Sequence, residues 1–414
     1  MLSTRRAALQ TLIRVLEDGA YTNLALKESA ANVAAKDVPY LNALVNETIA
    51  QSFYLDYVFA HFCKRQKRAV RNILRMAGTE LLFLNTPAHA AIDEAVNLCR
   101  EIGKKDSCGL VNAVLRRLDR ERNSLPPLPS DPIERLSIRY GVAPFLIREW
   151  IDAYGDAETD ALLKQKPIGT VVRAQYPYTT EELKRTLPVS FVPCVHDPNG
   201  LRLTAGIDLT RDPLFRDGKL AVQGEGAMLI CRAFGDIRGM RVLDACAAPG
   251  GKAAYLASLS ENTAKLTAWE LHSHRKALMD AAFQRLHVDA VTECRDASVH
   301  DPAFDDAFDA VLLDVPCSGF GLLAEKPDVR LNKTKETVDA LVKTQDAILD
   351  ACAPYVRAGG VLVYATCTIV RRENGDRVRA FTAAHPSFIL EEERQLLPTR
   401  DGTDGFYYAR LRRI

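Results

Sequence analysis

Between residues 219 and 414, short apolar runs alternate with longer amphipathic stretches, and this alternation constrains the fold more than any other feature of the chain. Val242-Leu243-Asp244, Leu266 to Glu270, Val291 to Cys294, Phe308 to Val315 and Gly360 to Thr366 read as strands. Residues 272–286, 336–356 and 373–384 read as helices between them. Such alternation builds a parallel sheet with helices on both faces. Phe406 to Leu411 follows the turn residues Asp404-Gly405 and is expected as a final, antiparallel edge strand. Residues 216–414 are therefore expected to form an α/β, Rossmann-like domain.

The remainder has a different texture. Leu9, Leu12, Ile13 and Leu16 recur at helical spacing after Ser3-Thr4, and Gly19 ends the pattern. The same spacing appears at Leu41, Leu44, Val45, Ile49 and Phe53. It returns at Ile73, Leu74, Ala77, Leu81 and Leu82, then at Ile92 to Cys99 and Val111 to Leu118. Residues 1–125 are expected to be an all-α domain. The stretch 124–132 holds three prolines within four residues, which no helix continues through. Residues 126–215 mix two helical patches with strand-like runs at Val171 to Gln175, Val189 to Val195 and Leu201 to Leu203. They are expected to be a small α+β connector.

Of the 414 residues, 47% are hydrophobic and 26% charged, which excludes disordered and fibrous classes. No apolar run is long enough to span a bilayer, and no secretory signal is seen, so the expected location is cytoplasmic with no membrane partner. The formal net charge is only +1, but it is segregated. Residues 1–125 carry 18 Lys+Arg against 13 Asp+Glu, a net of +5; the other 289 carry 36 against 40, a net of −4. Lys64, Arg65, Lys67, Arg68, Arg71 and Arg75 form a run without an acid. Such runs are usually a solvated helix face; the sharper reading is a patch that contacts phosphates. The ten cysteines show neither C-x-x-C pairing nor zinc-ligand spacing, so reduced thiols and no metal are expected.

Asp244-Ala245-Cys246-Ala247-Ala248-Pro249-Gly250-Gly251-Lys252 follows the first strand and opens a helix. Small residues admit a ligand close to the backbone, and a helix N-terminus offers free N–H groups to an anion. The spacing is neither that of a dinucleotide fingerprint nor that of a P-loop. Glu270 ends the second strand, where an acid can accept from a ribose diol. Asp296 follows the third, within reach of an adenine amino group. This ordered set is the layout of class I S-adenosylmethionine methyltransferases. Cys317, in Asp314-Val315-Pro316-Cys317-Ser318-Gly319, and Cys367, in Tyr364-Ala365-Thr366-Cys367-Thr368, end the fourth and fifth strands. Ligands of open α/β sheets bind outside the carboxyl ends of strands, so two thiols are expected at one cleft.

These motifs resemble those of the RsmB/Nop2 superfamily of RNA cytosine-C5 methyltransferases. Gln223, Pro327-Asp328, Gln345, Glu373-Asn374 and Gly405-Phe406 also match. Residues 1–125 resemble the NusB-like RNA-binding domain of the bacterial member, through Arg6-Ala7, Asn23, Leu84, His89-Ala90-Ala91, Ala95-Val96 and Val111 to Arg116. The resemblance implies Cys367 as nucleophile, Cys317 as the group that assists product release, and Asp314 at the cytosine edge. It implies that Cys246, Ala247, Ala248, Pro249, Gly250, Gly251, Lys252, Glu270, Asp296 and Asp314 hold S-adenosylmethionine. It implies 16S rRNA as substrate, at a loop cytosine (position 967 in the usual rRNA numbering), and a monomeric enzyme; the target base must leave its stack to reach such a cleft. The basic run Lys64 to Arg75 is then expected to bind RNA. Glu270 stands where the family usually has Asp, Val315 where Ala is usual, and Arg330-Leu331 where Lys-Trp is common; the last two are expected to alter the pocket's shape. Two alternatives remain: the same chemistry on tRNA or another rRNA site, or an RNA-binding assembly module with a vestigial methyltransferase domain.

Overall fold

The computed structural model describes residues 2–331 and 333–414. They fall into two compact units, Met1–Leu163 with Lys326–Lys333, and Lys164–Glu325 with Thr334–Ile414.

The first unit is helical. Its helices are α1 (Thr4–Leu16), α2 (Thr22–Ala30), α3 (Val38–Ala60), α4 (Arg68–Leu82), α5 (Ala88–Glu101), α6 (Cys108–Arg120), α7 (Pro132–Tyr140), α8 (Pro144–Tyr154) and α9 (Asp156–Leu163). Ser3 starts α1 by accepting from the Arg6 N–H, which satisfies one of the helix's orphan donors. Leu9 and Leu12, Leu41 and Ile49, Ile73 and Ala77, and Val111 and Leu115 meet in one core. Phe53 extends the apolar pattern of α3 yet remains 43% exposed. After the proline-rich stretch, Asp131 caps α7 and Pro132 occupies its first turn. Lys326–Lys333 is part of this unit. Arg330 donates from Nη1 to the carbonyls of Ala50 and Tyr140, both at 2.9 Å. Asp328 accepts from the Thr22 N–H at 3.1 Å. Arg330-Leu331 were expected to shape the pocket; instead Arg330 is enclosed by helices and Leu331 packs on their core.

The second unit contains two sheets. Its elements are β1 (Val171–Ala174), α10 (Thr180–Thr186), β2 (Phe191–Pro193), β3 (Gly200–Leu203), α11 (Pro213–Arg216), β4 (Leu220–Val222) and α12 (Glu225–Arg232). They continue with β5 (Arg241–Asp244), α13 (Gly251–Leu259), β6 (Lys265–Glu270), α14 (Ser273–Leu286), β7 (Ala290–Cys294), β8 (Phe308–Asp314) and α15 (Lys335–Cys352). The last are β9 (Val356–Thr366), α16 (Gly375–Ala384), β10 (Phe388–Leu396), α17 (Pro398–Asp401) and β11 (Phe406–Arg413). The smaller sheet is antiparallel, in the order β2-β3-β1-β4.

The larger sheet has the order β10-β11-β9-β8-β5-β6-β7. β7, β6, β5, β8 and β9 are parallel, as the strand-helix alternation predicts. Alternate residues face opposite ways. Val242, Leu266, Leu312 and Val363 join the core beneath α12, α13 and α14. Leu243, Val311, Leu313, Leu362 and Tyr364 join the other, with Ile348 of α15 and Phe381 of α16. β11 is antiparallel, as expected, but it is not an edge: β10 pairs with its outer side. The interior of β10 is Ile-Leu-Glu-Glu-Glu-Arg-Gln, and its exposed faces hide the strand pattern from the sequence.

Candidate active site

Parallel pairing brings the carboxyl ends of β5, β6, β8 and β9 to one edge: Asp244 lies opposite Ala268 and Leu312, and Asp314 opposite Ala365. The turn after β5 begins as the Ala247 N–H donates to the Trp269 carbonyl at 2.8 Å. It closes as the Gly250 N–H donates to the Ala247 carbonyl at 2.7 Å. Gly250, the N-cap of α13, has φ +100°, and a Cβ there would lie 2.8 Å from the Phe283 ring. Glycine is therefore required on two counts.

Asp244 is 1% exposed, and its Oδ2 has no hydrogen-bond partner among the described residues. Burial, joined by the charge of Asp314, pushes its carboxyl up to about 7, with Lys252 pulling the other way. A buried carboxyl oxygen with an open valence beside a helix N-terminus suits a ligand bearing both an ammonium and a carboxylate. On that ground the residues present fit the S-adenosylmethionine expected from the sequence. Glu270, 3% exposed at the end of β6, accepts from the His272 N–H at 3.0 Å and pairs with Arg275 at 3.2 Å. Asp296 lies beyond β7, exposed, its Oδ1 accepting from the Ser298 N–H and hydroxyl.

The two expected thiols do converge: Sγ of Cys317 and Sγ of Cys367 are 3.3 Å apart. The hydrogen bond with Cys367, then burial, then the charge on Cys367 push the Cys317 thiol well above its usual range. Either sulfur can donate in this contact. Asp314 accepts from Lys252 Nζ at 2.6 Å. Burial alone would lower the Lys252 pKa, but Asp314 and the nearby Cys367 raise it, so it stays an ammonium beside the thiol pair. Val315 is buried and continues the ladder, its N–H donating to the Ala365 carbonyl at 3.1 Å. Gly321 sits where a Cβ would lie 1.7 Å from the Gly405 carbonyl oxygen. Its N–H donates to the Cys367 carbonyl at 3.1 Å, so Gly405 and Gly321 brace the loop that carries Cys367.

The basic run is divided. Lys64 to Lys67 precede α4 rather than forming its face, and α4 starts at Arg68. Arg71 and Arg75 pair with Glu17, Arg75 also with Asp56, and Arg68 with Asp18. Lys64, Arg65 and Lys67 make no ion pair among the described residues. Lys64 and Arg65 line a cavity of about 310 Å³ with Phe59, Cys63 and Leu74.

Several residues at the cleft carry no sequence pattern of their own. Arg275 donates to the Ala248 carbonyl at 2.9 Å while paired with Glu270, joining the cofactor turn to the second strand. Arg173 of β1 is fully buried, its guanidinium 4.6 Å from the Tyr255 ring. It donates to Gln223 and Gln175, both at 2.6 Å, and to the Gly251 carbonyl at 3.4 Å. The small sheet thus grips the first turn of α13. Among the described residues, no group of three His, Cys, Asp or Glu comes together to hold a metal ion, and no helix is long and apolar enough to cross a membrane.

The chain is similar to known proteins over both units. The model of the family described as 16S rRNA methyltransferase RsmB/F matches residues 237–412, and that of the NusB family matches residues 2–120. The chain is 31% identical over 441 residues to the probable ribosomal RNA small subunit methyltransferase B of Bacillus subtilis, covering 99% of each. It is 35% identical over 362 residues to the ribosomal RNA small subunit methyltransferase B of Xylella fastidiosa, covering 83% of each. The crystal structure of PH0851 superposes with a TM-score of 0.84 at 21% identity, over 100% of this chain and 99% of that one, a likeness of fold.

Proposed function

The chain belongs to the 16S rRNA methyltransferase RsmB/F family, whose methyl donor is S-adenosylmethionine, and on that premise we propose that it methylates C5 of one loop cytosine, position 967 in the usual rRNA numbering, through a covalent Cys367–C6 bond. The observation that carries this reading is the 3.3 Å approach of Cys317 and Cys367 at the ends of adjacent parallel strands.

Cytosine C5 is a poor nucleophile. Addition of the Cys367 thiolate at C6 moves an electron pair toward N3 and leaves C5 enamine-like. The Cys317 S–H donates to the Cys367 sulfur and favours its thiolate form over that of Cys317. Asp314, fixed by Lys252, holds the N3/amino edge by accepting from the exocyclic amino group, and the Lys252 ammonium offsets the negative charge displaced toward N3. The cofactor supplies an electrophilic methyl group. Solvent then takes the C5 proton, the freed electron pair restores the C5–C6 double bond, and Cys367 departs as a thiolate that the Cys317 S–H stabilises, which is how Cys317 assists release. Cys246 to Lys252, Glu270, Asp296 and Asp314 hold the cofactor, Glu270 at the ribose diol and Asp244 at the ammonium.

Asp244 gives this site a pH signature. Below about pH 7 it is protonated and must lose its proton before pairing with a cation. Cofactor affinity is therefore expected to rise about tenfold from pH 6 to pH 8, where the carboxylate is already formed. Calorimetric titration with S-adenosylmethionine checks this, and Asp244→Asn is expected to flatten the profile.

Lys64, Arg65 and Lys67 are the members of the basic run available for phosphates. Replacing all three by alanine is expected to weaken RNA binding and to lessen the slope of log K against log salt by about 2, as three lost single-strand phosphate contacts require. Filter binding across a salt series measures this.

The substrate assignment is tested by bisulfite sequencing of RNA from a strain lacking the gene. Loss of 5-methylcytosine at one 16S rRNA position is expected. Intact rRNA with an unmethylated tRNA would overturn the rRNA reading.

A further inference from the structure

The thiols of Cys317 and Cys367 come from loops 50 residues apart, and one buried carboxyl ties those loops together. Glu373 is 0% exposed. Its Oε2 accepts from the Ser318 N–H at 2.8 Å and from Gln345 Nε2 at 3.1 Å, and its Oε1 from the Ser318 hydroxyl at 2.5 Å. Gln345, on α15, donates also to the Pro316 carbonyl at 3.0 Å, so the backbone on both sides of Cys317 is held. The Cys367 side is held through the same group. Ser318 Oγ and Thr368 Oγ1 are 2.8 Å apart, and the Tyr364 hydroxyl donates to the Glu373 carbonyl at 2.6 Å. Next in the chain, Asn374 accepts from the Thr366 hydroxyl at 2.6 Å and donates to the Thr368 carbonyl at 3.0 Å. Ser318, Gln345, Thr366, Thr368 and Asn374 are all at most 2% exposed, so no water competes freely for these bonds.

We propose that Glu373 is a positioning residue for methyl transfer, holding the Cys317 and Cys367 loops at working separation through the hydrogen bonds its side chain accepts. This rests on the roles given above to the two cysteines. Glu373 acts through Ser318 and Thr368. The arrangement needs an acceptor at Oε2, facing two donors. At Oε1 it needs only a partner for a hydroxyl, which can itself accept. Glutamine meets both needs, with its carbonyl toward Ser318 N–H and Gln345 and its amide toward Ser318 Oγ, which then donates to Thr368. Alanine leaves the Ser318 N–H and one N–H of the Gln345 amide buried and unsatisfied.

The test uses the full chain, a transcript of the target rRNA hairpin and labelled S-adenosylmethionine. Glu373→Gln is expected to keep kcat within about threefold. Glu373→Ala and Ser318→Ala are expected to lower kcat about 10- to 100-fold, the range of a misplacement near 1 Å, with KM for both substrates and the pH profile unchanged. Diamide reports the thiol separation without methylation, since it takes two protons and two electrons from the thiol pair and leaves a Cys317–Cys367 disulfide. Its rate is expected to fall in the two disruptive variants and to hold in Glu373→Gln. Calorimetric binding of S-adenosylmethionine certifies folding; if Glu373→Ala fails it, Ser318→Ala decides. The proposal is overturned if folded Ser318→Ala keeps wild-type kcat and diamide rate. It is equally overturned if Glu373→Gln is as inactive as Glu373→Ala with a displaced pH profile, which assigns the effect to charge. Activity in Cys367→Ala would instead strike the nucleophile reading, so the two failures are distinct.

Discussion

Cys367→Ala is expected to lose methyl transfer by at least about 10³-fold while still binding S-adenosylmethionine and RNA, because the covalent route has no second thiol placed to replace it. Cys317 is only 3.3 Å away, but the hydrogen bond with Cys367 and burial push its thiol well above its usual range. Lys252, raised in pKa by Asp314 and by Cys367, places a positive charge where a thiolate is wanted. The two cysteines are thus unequal, and exchanging their roles by mutation is not expected to work. Tritium transfer from labelled cofactor to the rRNA hairpin measures the loss. Calorimetry on the same preparation shows that the cofactor site survives.

Asp314→Ala carries the second large effect, and it has two components. On the proposed mechanism, removing the group that holds the cytosine amino edge and orients the Lys252 ammonium is expected to cost about 10²- to 10³-fold in kcat, as for other preorganised electrostatic contacts. It also leaves the Lys252 ammonium without its 2.6 Å partner. The pair is partly screened, with side-chain exposures of 15% and 26%, so a loss of about 2 kcal/mol is expected rather than the ~3–5 kcal/mol of a fully buried pair. Asp314→Asn keeps a hydrogen-bond acceptor for Lys252 and is expected to regain most of that stability but little of the rate. Thermal unfolding and single-turnover methylation, measured on both variants, separate the two components.

How much of this was readable in advance follows from what each feature depends on. β5, β8 and β9 announce themselves, because buried central strands are continuous apolar runs, whereas β7, at the sheet edge, is read from the strand-helix alternation. The thiol pair was legible for the same reason: strand ends fix where a loop residue lies, and β8 and β9 are neighbours. β10 was not, because its central Glu391-Glu392-Glu393 faces outward and only Phe388 and Leu396 are buried. The basic run misled in part, since the acids that neutralise Arg71 and Arg75 come from Glu17 and Asp56, far away in the chain. Arg330 likewise reads as a pocket residue only until Ala50 and Tyr140 are seen to accept its bonds. Arg173 carries no sequence signal, and Glu373, though part of a matching motif, had no role legible in the sequence. A buried charge takes its meaning from its partners, and several of theirs, Gln223, Gly251 and Ser318, lie 50 or more residues away.

The most direct test of covalent catalysis by the cysteine pair is to incubate Cys317→Ala with S-adenosylmethionine and the target hairpin, denature, digest, and locate the RNA adduct by mass spectrometry. The mechanism predicts a stable protein–RNA species in which the peptide containing Cys367 carries a methylated cytidine, because addition and methyl transfer proceed while release is impaired. Wild-type turnover without an adduct, or an adduct on any other residue, would contradict it.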